Sequence, residues 1–328
     1  MTDIFSDILG HEHAREGLIH AIKNDRLHHA LLFSGPSGIG KSMIARSMIQ
    51  AMLCENSTRE QLQKCMKCRN CHRIASNIHP DVIEIDEPTA TIKIETIRDL
   101  QKKLIYFFYE AARRFVIIQD VHKMQDAAAN CLLKTLEEPE PHTTFILITS
   151  QIQRLLPTIV SRCQLVRFAP FSMDEISQFL VRRGMTEDDA DQISALSGGS
   201  IGTALELSSS EYEKEVTSTF EEMLSPSSSL DAFLTASGLK GKKSMAEHLL
   251  TLMLMFVRDM LVLKTDPNHP IILKHYRPQM MSRLSRTTEK DLQRAAGIIQ
   301  EVHESFQGNV NELVAWERLM IGLHGVIF

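Results

Sequence analysis

The sequence predicts an α/β domain built on a parallel sheet, then a small helical domain and an all-α C-terminal domain. Three observations predict it. Five short apolar runs alternate with amphipathic segments, a glycine-rich loop follows the first run, and no such run occurs after Pro170. The runs are residues 29–34, 81–85, 115–118, 145–148 and 164–168. Each has strand length, and segments such as 94–104 and 127–136 carry apolar residues at helical spacing. Strand, helix, strand at these intervals gives a parallel sheet covered on both faces. Residues 173–209 read as short helices with a break at Gly198 and Gly199, and a turn-rich stretch follows from Ser225 to Ser229. Residues 230–328 read as helices with methionine-rich apolar faces. The expected division is 1–169, 170–208 and 209–328.

The 328 residues, 43% hydrophobic and 23% charged, suffice for two or three domains with separate cores. The formal net charge of −5 argues against a protein held on DNA by bulk electrostatics. DNA contact would be local or shared with partner subunits. The first residues are acidic and lack the apolar core of a secretory signal. The longest apolar stretch, 249–263, is interrupted by Arg258 and Asp259 and is too short to span a bilayer. The expectation is a cytoplasmic protein.

Gly35, Pro36, Ser37, Gly38, Ile39, Gly40, Lys41 and Ser42 match G-x-x-x-x-G-K-[ST] in full. The motif follows a predicted strand and precedes a predicted helix over 43–53, the context its chemistry requires. The glycines let backbone N–H groups wrap a phosphate, and the helix N-terminus adds partial positive charge. Lys41 is expected to reach the β- and γ-phosphates of ATP or ADP, and the Ser42 hydroxyl to ligate Mg²⁺. The bland alternative is a chance glycine-rich turn. Binding and hydrolysis are separate questions.

Cys54, Cys65, Cys68 and Cys71 give the spacing C-x10-C-x2-C-x2-C within a module over 54–71. Two successive x2 spacings bring three thiolates to one ion from a tight turn, and the fourth comes from the end of the preceding helix. Four sulfurs suit structural Zn²⁺ with no open position. An iron–sulfur cluster is the alternative metal, and four buried thiols the non-metal alternative. Cys131 and Cys163 stand apart and read as ordinary buried cysteines.

Further motifs surround these two. The opening Phe5 to His11 and the stretch Leu27 to Pro36 are followed by the cysteine module, His79-Pro-Asp81, Asn130-Cys-Leu-Leu-Lys-Thr-Leu-Glu-Glu-Pro139 and Ser161-Arg162-Cys163. Together they resemble the bacterial clamp-loader subunits of DNA polymerase III, which are AAA+ proteins. Asn309-Val-Asn311 extends the resemblance into the C-terminal domain. The resemblance implies an AAA+ domain with a zinc module, a helical lid, and a helical collar that joins subunits in a ring. It also implies partners: motor subunits of the gamma/tau type, a delta-type subunit, the sliding clamp and primed DNA.

Such rings contain hydrolysing motors and a delta-prime subunit that hydrolyses little or nothing. A working site needs an acidic pair at the end of the strand after the loop, one residue for the Mg²⁺ shell and one for the attacking water. Here the positions hold Gln119 and Asp120. A one-residue offset would instead make Asp120 the magnesium residue and Val121 the base. At the lid position where motors carry an arginine stands Gly202. Both departures point to the delta-prime type. Arg162 resembles the arginine finger that reaches a neighbouring subunit's ATP, and its bland alternative is pairing with a local acid. Thr149 and Ser150 are candidate sensors of the γ-phosphate.

The implied function is that of a largely non-catalytic ring member. A gamma/tau-type motor ATPase is the first alternative, favoured by the intact Lys41 and Ser42. A zinc-braced small-molecule phosphotransferase is the second. Other residues carry structural expectations. His11, Glu12 and His13 read as solvated, His28 and His29 as packing or capping residues, and Arg113 with Arg114 as solvated surface. Glu137 and Glu138 diverge on their helix and are expected to be structural. Met253, Met255, Met260 and Trp316 are expected in a helical core.

Overall fold

The computed structural model describes residues 4–5, 7–87, 91–105, 110–111, 113–226, 228–242, 245–307 and 311–327. The chain divides into two compact units. The first comprises residues 1–171 with 199–202, and the second residues 172–198 with 203–328.

The first unit is an α/β domain. Its strands are β1 (Ala30–Ser34), β2 (Val82–Ile85), β3 (Arg114–Ile118), β4 (Thr143–Thr149) and β5 (Gln164–Arg167). They form one sheet in the order β2-β3-β4-β1-β5, with every neighbouring pair parallel. β3 and β4 are buried along their whole length and β5 is partly exposed at the edge. That is why the central runs read as unbroken Val, Ile, Leu and Phe. The helices are α1 (Glu12–Lys23), α2 (Lys41–Leu53), α3 (Arg69–Ala75), α4 (Ile94–Ile105), α5 (Asp126–Glu137) and α6 (Pro157–Val160). One face of the sheet meets Ile97, Leu100 and Leu104 of α4 and Leu132 and Leu136 of α5 in a continuous core.

Arg114 is not surface, as the sequence suggested: it opens β3 and is 3% exposed. Its guanidinium donates to the carbonyl of Leu104 at 3.0 Å. It also donates to the Lys103 carbonyl at 3.4 Å, so a buried arginine serves two carbonyls in the last turn of α4. His11 is not solvated either. It is half-buried, packs edge-on against Phe168 at 5.1 Å, and has Nε2 2.8 Å from the Ile39 carbonyl. His29 reaches the Leu136 carbonyl at 3.1 Å, in line with the packing expected of it.

The second unit is helical among its described residues. It contains α7 (Met173–Arg182), α8 (Glu187–Leu196), most of α9 (Ile201–Leu207), α10 (Ser210–Met223), α11 (Ser229–Gly238), α12 (Ala246–Thr265), α13 (Arg277–Leu284), α14 (Glu289–Gln307) and α15 (Glu312–His324). α7 pairs with α8, α11 with α15, and α12 with α14. Met253, Met260 and Trp316 are fully buried, and Trp316 lies against Phe306 at 4.8 Å. Asn311 caps α15, its side chain accepting from the Leu313 amide, while residues 309 and 310 lie outside the described residues. Among the described residues no helix is long and apolar enough to cross a membrane.

Candidate nucleotide and metal sites

β1 lies between β4 and β5 and runs straight into the loop of Gly35 to Ser42. In open parallel sheets ligands bind beyond the carboxyl ends of the strands. The Gly35 amide donates to the Thr149 carbonyl at 3.2 Å, which ties the loop to the end of β4. A Cβ on Gly35 would stand 2.3 Å from the Phe168 carbonyl oxygen, so no larger residue fits. Gly40 has φ of 96° and forms the N-cap of α2, a conformation that favours glycine. The loop thus delivers backbone N–H groups to one side of the α2 N-terminus.

Lys41 is 6% exposed and turns back into the loop. Its Nζ donates to the Gly35 carbonyl at 2.7 Å and also to that of Pro36. Burial brings its pKa down to about 8, opposed by the charge of Asp120. An arriving phosphate would exchange these carbonyl bonds for a full anionic partner.

Gln119, and not Asp120, faces the loop. The Ser42 hydroxyl donates to Gln119 Oε1 at 2.9 Å. Gln119 Nε2 donates to Glu84 Oε1 at 2.8 Å, and Glu84 Oε1 also meets Arg46 Nη2 at 2.7 Å. Asp120 has φ of 46° and turns to Lys123, with Oδ2 2.8 Å from Nζ. The position beside Ser42 therefore holds a neutral amide, and both nearby carboxylates are paired with cations. This donor set does not fit a hydrated magnesium ion, which is held through carboxylates as well as phosphates.

Thr149 is fully buried, its hydroxyl accepts from the Gln151 amide at 3.0 Å, and it lies 3.3 Å from His122 Nδ1. Ser150 is half-buried beside it. On the other side of the loop the Gly202 amide donates to the Gly38 carbonyl at 2.8 Å. A Cβ on Gly202 would come 2.9 Å from Gly38 Cα. Arg162 lies just past α6. Its Nη1 donates to the Thr158 carbonyl at 3.0 Å and its Nη2 meets Glu137 Oε1 at 2.5 Å, with about a third of the side chain exposed.

The four module cysteines converge. One sulfur from each of Cys54, Cys65, Cys68 and Cys71 lies within 4.8 Å of every other. Sulfurs at ~2.3 Å from one tetrahedral zinc ion stand ~3.8 Å apart, and those of Cys54 and Cys68 are 4.0 Å apart. Cys65 Sγ accepts from the amides of Lys67 and Cys68, the latter at 3.2 Å, and Cys68 Sγ accepts from the Cys71 amide at 3.4 Å. Met66, with φ of 54°, makes the tight turn that aims these amides. The amide of Lys67, helped by neighbouring donors, brings the Cys65 thiol down to about 6, whereas burial pushes Cys54 and Cys71 up. The donor set fits a closed structural metal site. Cys131 and Cys163 lie outside this cluster and are half-buried, not fully buried, and burial raises Cys163 to about 11.

Sequence reasoning singled out the loop, the cysteines, Gln119 and Arg162 as candidates, and the cysteines converge as expected. It missed Glu84, Arg46, His122 and the role of Glu137. Arg46 stands four residues after Ser42 on α2 and so shares its face, which was a usable signal. Glu84 comes from another strand and carried none.

Residues 10–172 match the family model described as DNA polymerase III, delta subunit. The chain is 29% identical over 312 residues to DNA polymerase III subunit delta-prime of Bacillus subtilis, covering 93% of this chain and 94% of that one. It is 35% identical over 176 residues to subunit gamma of Buchnera aphidicola, covering 54% of this chain and 48% of the relative. The chain spans about half of that gamma relative and 26% of the tau subunit of Escherichia coli, to which it is 37% identical over 172 residues. A crystal structure of a gamma subunit-related protein from Thermotoga maritima superposes with a TM-score of 0.50 at 19% identity, covering 94% of this chain and 98% of that one. That likeness establishes the fold.

Proposed function

The chain belongs to the clamp-loader subunits of DNA polymerase III, and from that premise we propose that it is the delta-prime-type member of the ring. In this reading it takes part in ATP-dependent loading of the sliding clamp onto primed DNA and hydrolyses little or no nucleotide itself. Its division would follow 1–169 for the AAA+ domain, 170–208 for the lid and 209–328 for the collar. Its neighbours would be a gamma/tau-type motor and a delta-type subunit.

The observation that carries the reading is the bond from Ser42 to the neutral amide of Gln119. A motor needs a carboxylate there and a positioned base beside it, and loss of such a base costs ~10²–10⁴ in rate. Asp120 turned to Lys123 at 2.8 Å supports the same reading. The match to the delta-prime relative runs along nearly the whole chain, whereas gamma and tau are matched along about half of it. Gly35 to Ser42 would hold nucleotide phosphates through backbone amides and Lys41. Thr149 and Ser150 would sense occupancy from the end of β4. Cys54, Cys65, Cys68 and Cys71 would hold structural Zn²⁺, bracing the end of α2.

Arg162 would act in trans. Its guanidinium is partly exposed and held by one exposed carboxylate, so a neighbour's triphosphate competes for it on favourable terms. The test is reconstitution with motor, delta-type subunit, clamp and primed DNA. Arg162→Ala is expected to cut DNA-stimulated ATPase and clamp loading by ~10³ or more, and Lys41→Ala to change them little. If Lys41→Ala is the damaging change, the site turns over nucleotide and the chain is a gamma/tau-type motor.

A further inference from the structure

The reading above leaves open what the loop binds, because a neutral amide facing Ser42 changes more than the rate of hydrolysis. We propose that this phosphate loop takes a nucleoside di- or triphosphate without a divalent cation. The inference rests on the assignment of Gly35 to Ser42 as a nucleotide site and extends it to the chemistry of the ligand.

The Glu84 carboxylate can only accept, so Gln119 must present its NH₂ to Glu84 and its oxygen to Ser42. The Ser42 proton is thereby committed to a neutral acceptor. Glu84 is committed as well, since the same oxygen meets the guanidinium of Arg46. Across Ser42, Gln119, Glu84 and Arg46 the formal charge sums to zero. A carboxylate in place of Gln119 would make it −1 and would draw a hydrated dication to the phosphate. Asp120, the next acid along the chain, is turned to Lys123 at 2.8 Å, and Ser42 bonds Gln119 instead. Phosphate binding itself needs none of these groups: the loop amides, the α2 N-terminus and Lys41 supply it. The site thus keeps the phosphate-binding half of its chemistry and lacks the half that recruits metal.

The experiment measures binding of fluorescent ADP and ATP analogues to the full-length chain, with magnesium or with EDTA. Wild type is expected to bind both analogues with Kd values agreeing within about twofold in the two conditions. Gln119→Asp alone brings the sum over the four residues to −1, and the variant is checked for folding by circular dichroism. It is expected to bind at least about tenfold more tightly with magnesium than with EDTA. A wild-type Kd that rises about tenfold in EDTA overturns the proposal, as does a folded Gln119→Asp variant that stays indifferent to magnesium. Lys41→Ala separates the two readings. If it leaves binding unchanged, the nucleotide is not on this loop and the site assignment falls. If it abolishes binding while wild type depends on magnesium, only the metal-free inference falls.

Discussion

Gly202 donates its amide to the carbonyl of Gly38, so the first turn of α9 is hydrogen-bonded to the phosphate loop across a gap that admits no side chain. The sequence marks Gly202 as a position where a motor's arginine is missing. The geometry adds a reason for glycine itself. Gly202→Ala would gain ~1 kcal/mol in helix propensity, but its Cβ would sit 2.9 Å from Gly38 Cα, with backbone on both sides. The clash should win at ~1–3 kcal/mol, and urea denaturation should report a net loss of stability. A gain of ~1 kcal/mol would mean that the start of α9 withdraws freely.

Glu137 restrains Arg162 without being needed by the neighbour's chemistry. The pair is partly exposed, and such pairs contribute ~0–1 kcal/mol. Glu137→Gln should therefore alter the turnover of a reconstituted ring by less than about tenfold, in contrast to Arg162→Ala. A loss from Glu137→Gln equal to that from Arg162→Ala would show that the carboxylate positions the finger during turnover.

The cysteine module predicts one metal ion per chain. Purified protein should carry zinc at a one-to-one ratio by elemental analysis, and cobalt substitution should give a tetrathiolate absorption spectrum. Because metal binding is coupled to folding in such modules, chelation or Cys71→Ser should lower the melting temperature of the first unit. Protein that stays metal-free and equally stable would leave four buried thiols as the answer.

Stability should fall as pH drops below about 6.5. His79, His122 and His248 are all held below the ordinary histidine range, in each case chiefly by burial. Each has its Nδ1 at hydrogen-bond distance from a donor: the Asp81 amide at 3.1 Å, the Thr149 hydroxyl at 3.3 Å and the Tyr212 hydroxyl at 2.9 Å. Protonation would break the His79 bond, since a backbone amide can only donate, and would set a charge in the buried surroundings of all three. Their folded pKa values are depressed, so the unfolded chain binds protons that the folded chain refuses. The contribution is fully present above about 6.5 and is lost as pH falls through the window beneath it. Denaturant midpoints at pH 7.5 and 5.5 should differ in that sense, and His248→Gln should narrow the difference. Equal midpoints would refute the linkage.

The inner strands β1, β3 and β4 were legible because burial on both faces leaves runs of Val, Ile, Leu and Phe, and the edge strands β2 and β5 by shorter apolar runs. α2 begins at Lys41, two residues earlier than its apolar pattern, because Gly40 in a left-handed conformation starts the helix within the loop. Arg114 was misread because two adjacent arginines before a strand look like surface. Only the third dimension shows the helix end whose carbonyls it satisfies. The same limit hid Glu84, which reaches Gln119 across two strands paired at Glu84 and Ile117. Local patterns report periodicity and turns; a polar contact between distant segments leaves no periodic trace.

α2 is fastened at both ends. Its first turn is the loop that would grip phosphate, and its last residue meets the cysteine knuckle through the Asn70 side chain on the Leu53 carbonyl, with Gln50 reaching the Cys71 carbonyl. Its 13 residues make a strut of about 20 Å. A strut clamped at one end cannot slide along its axis when the other is loaded. Events at the loop must then be expressed as rotation of α2, or be passed whole to the knuckle.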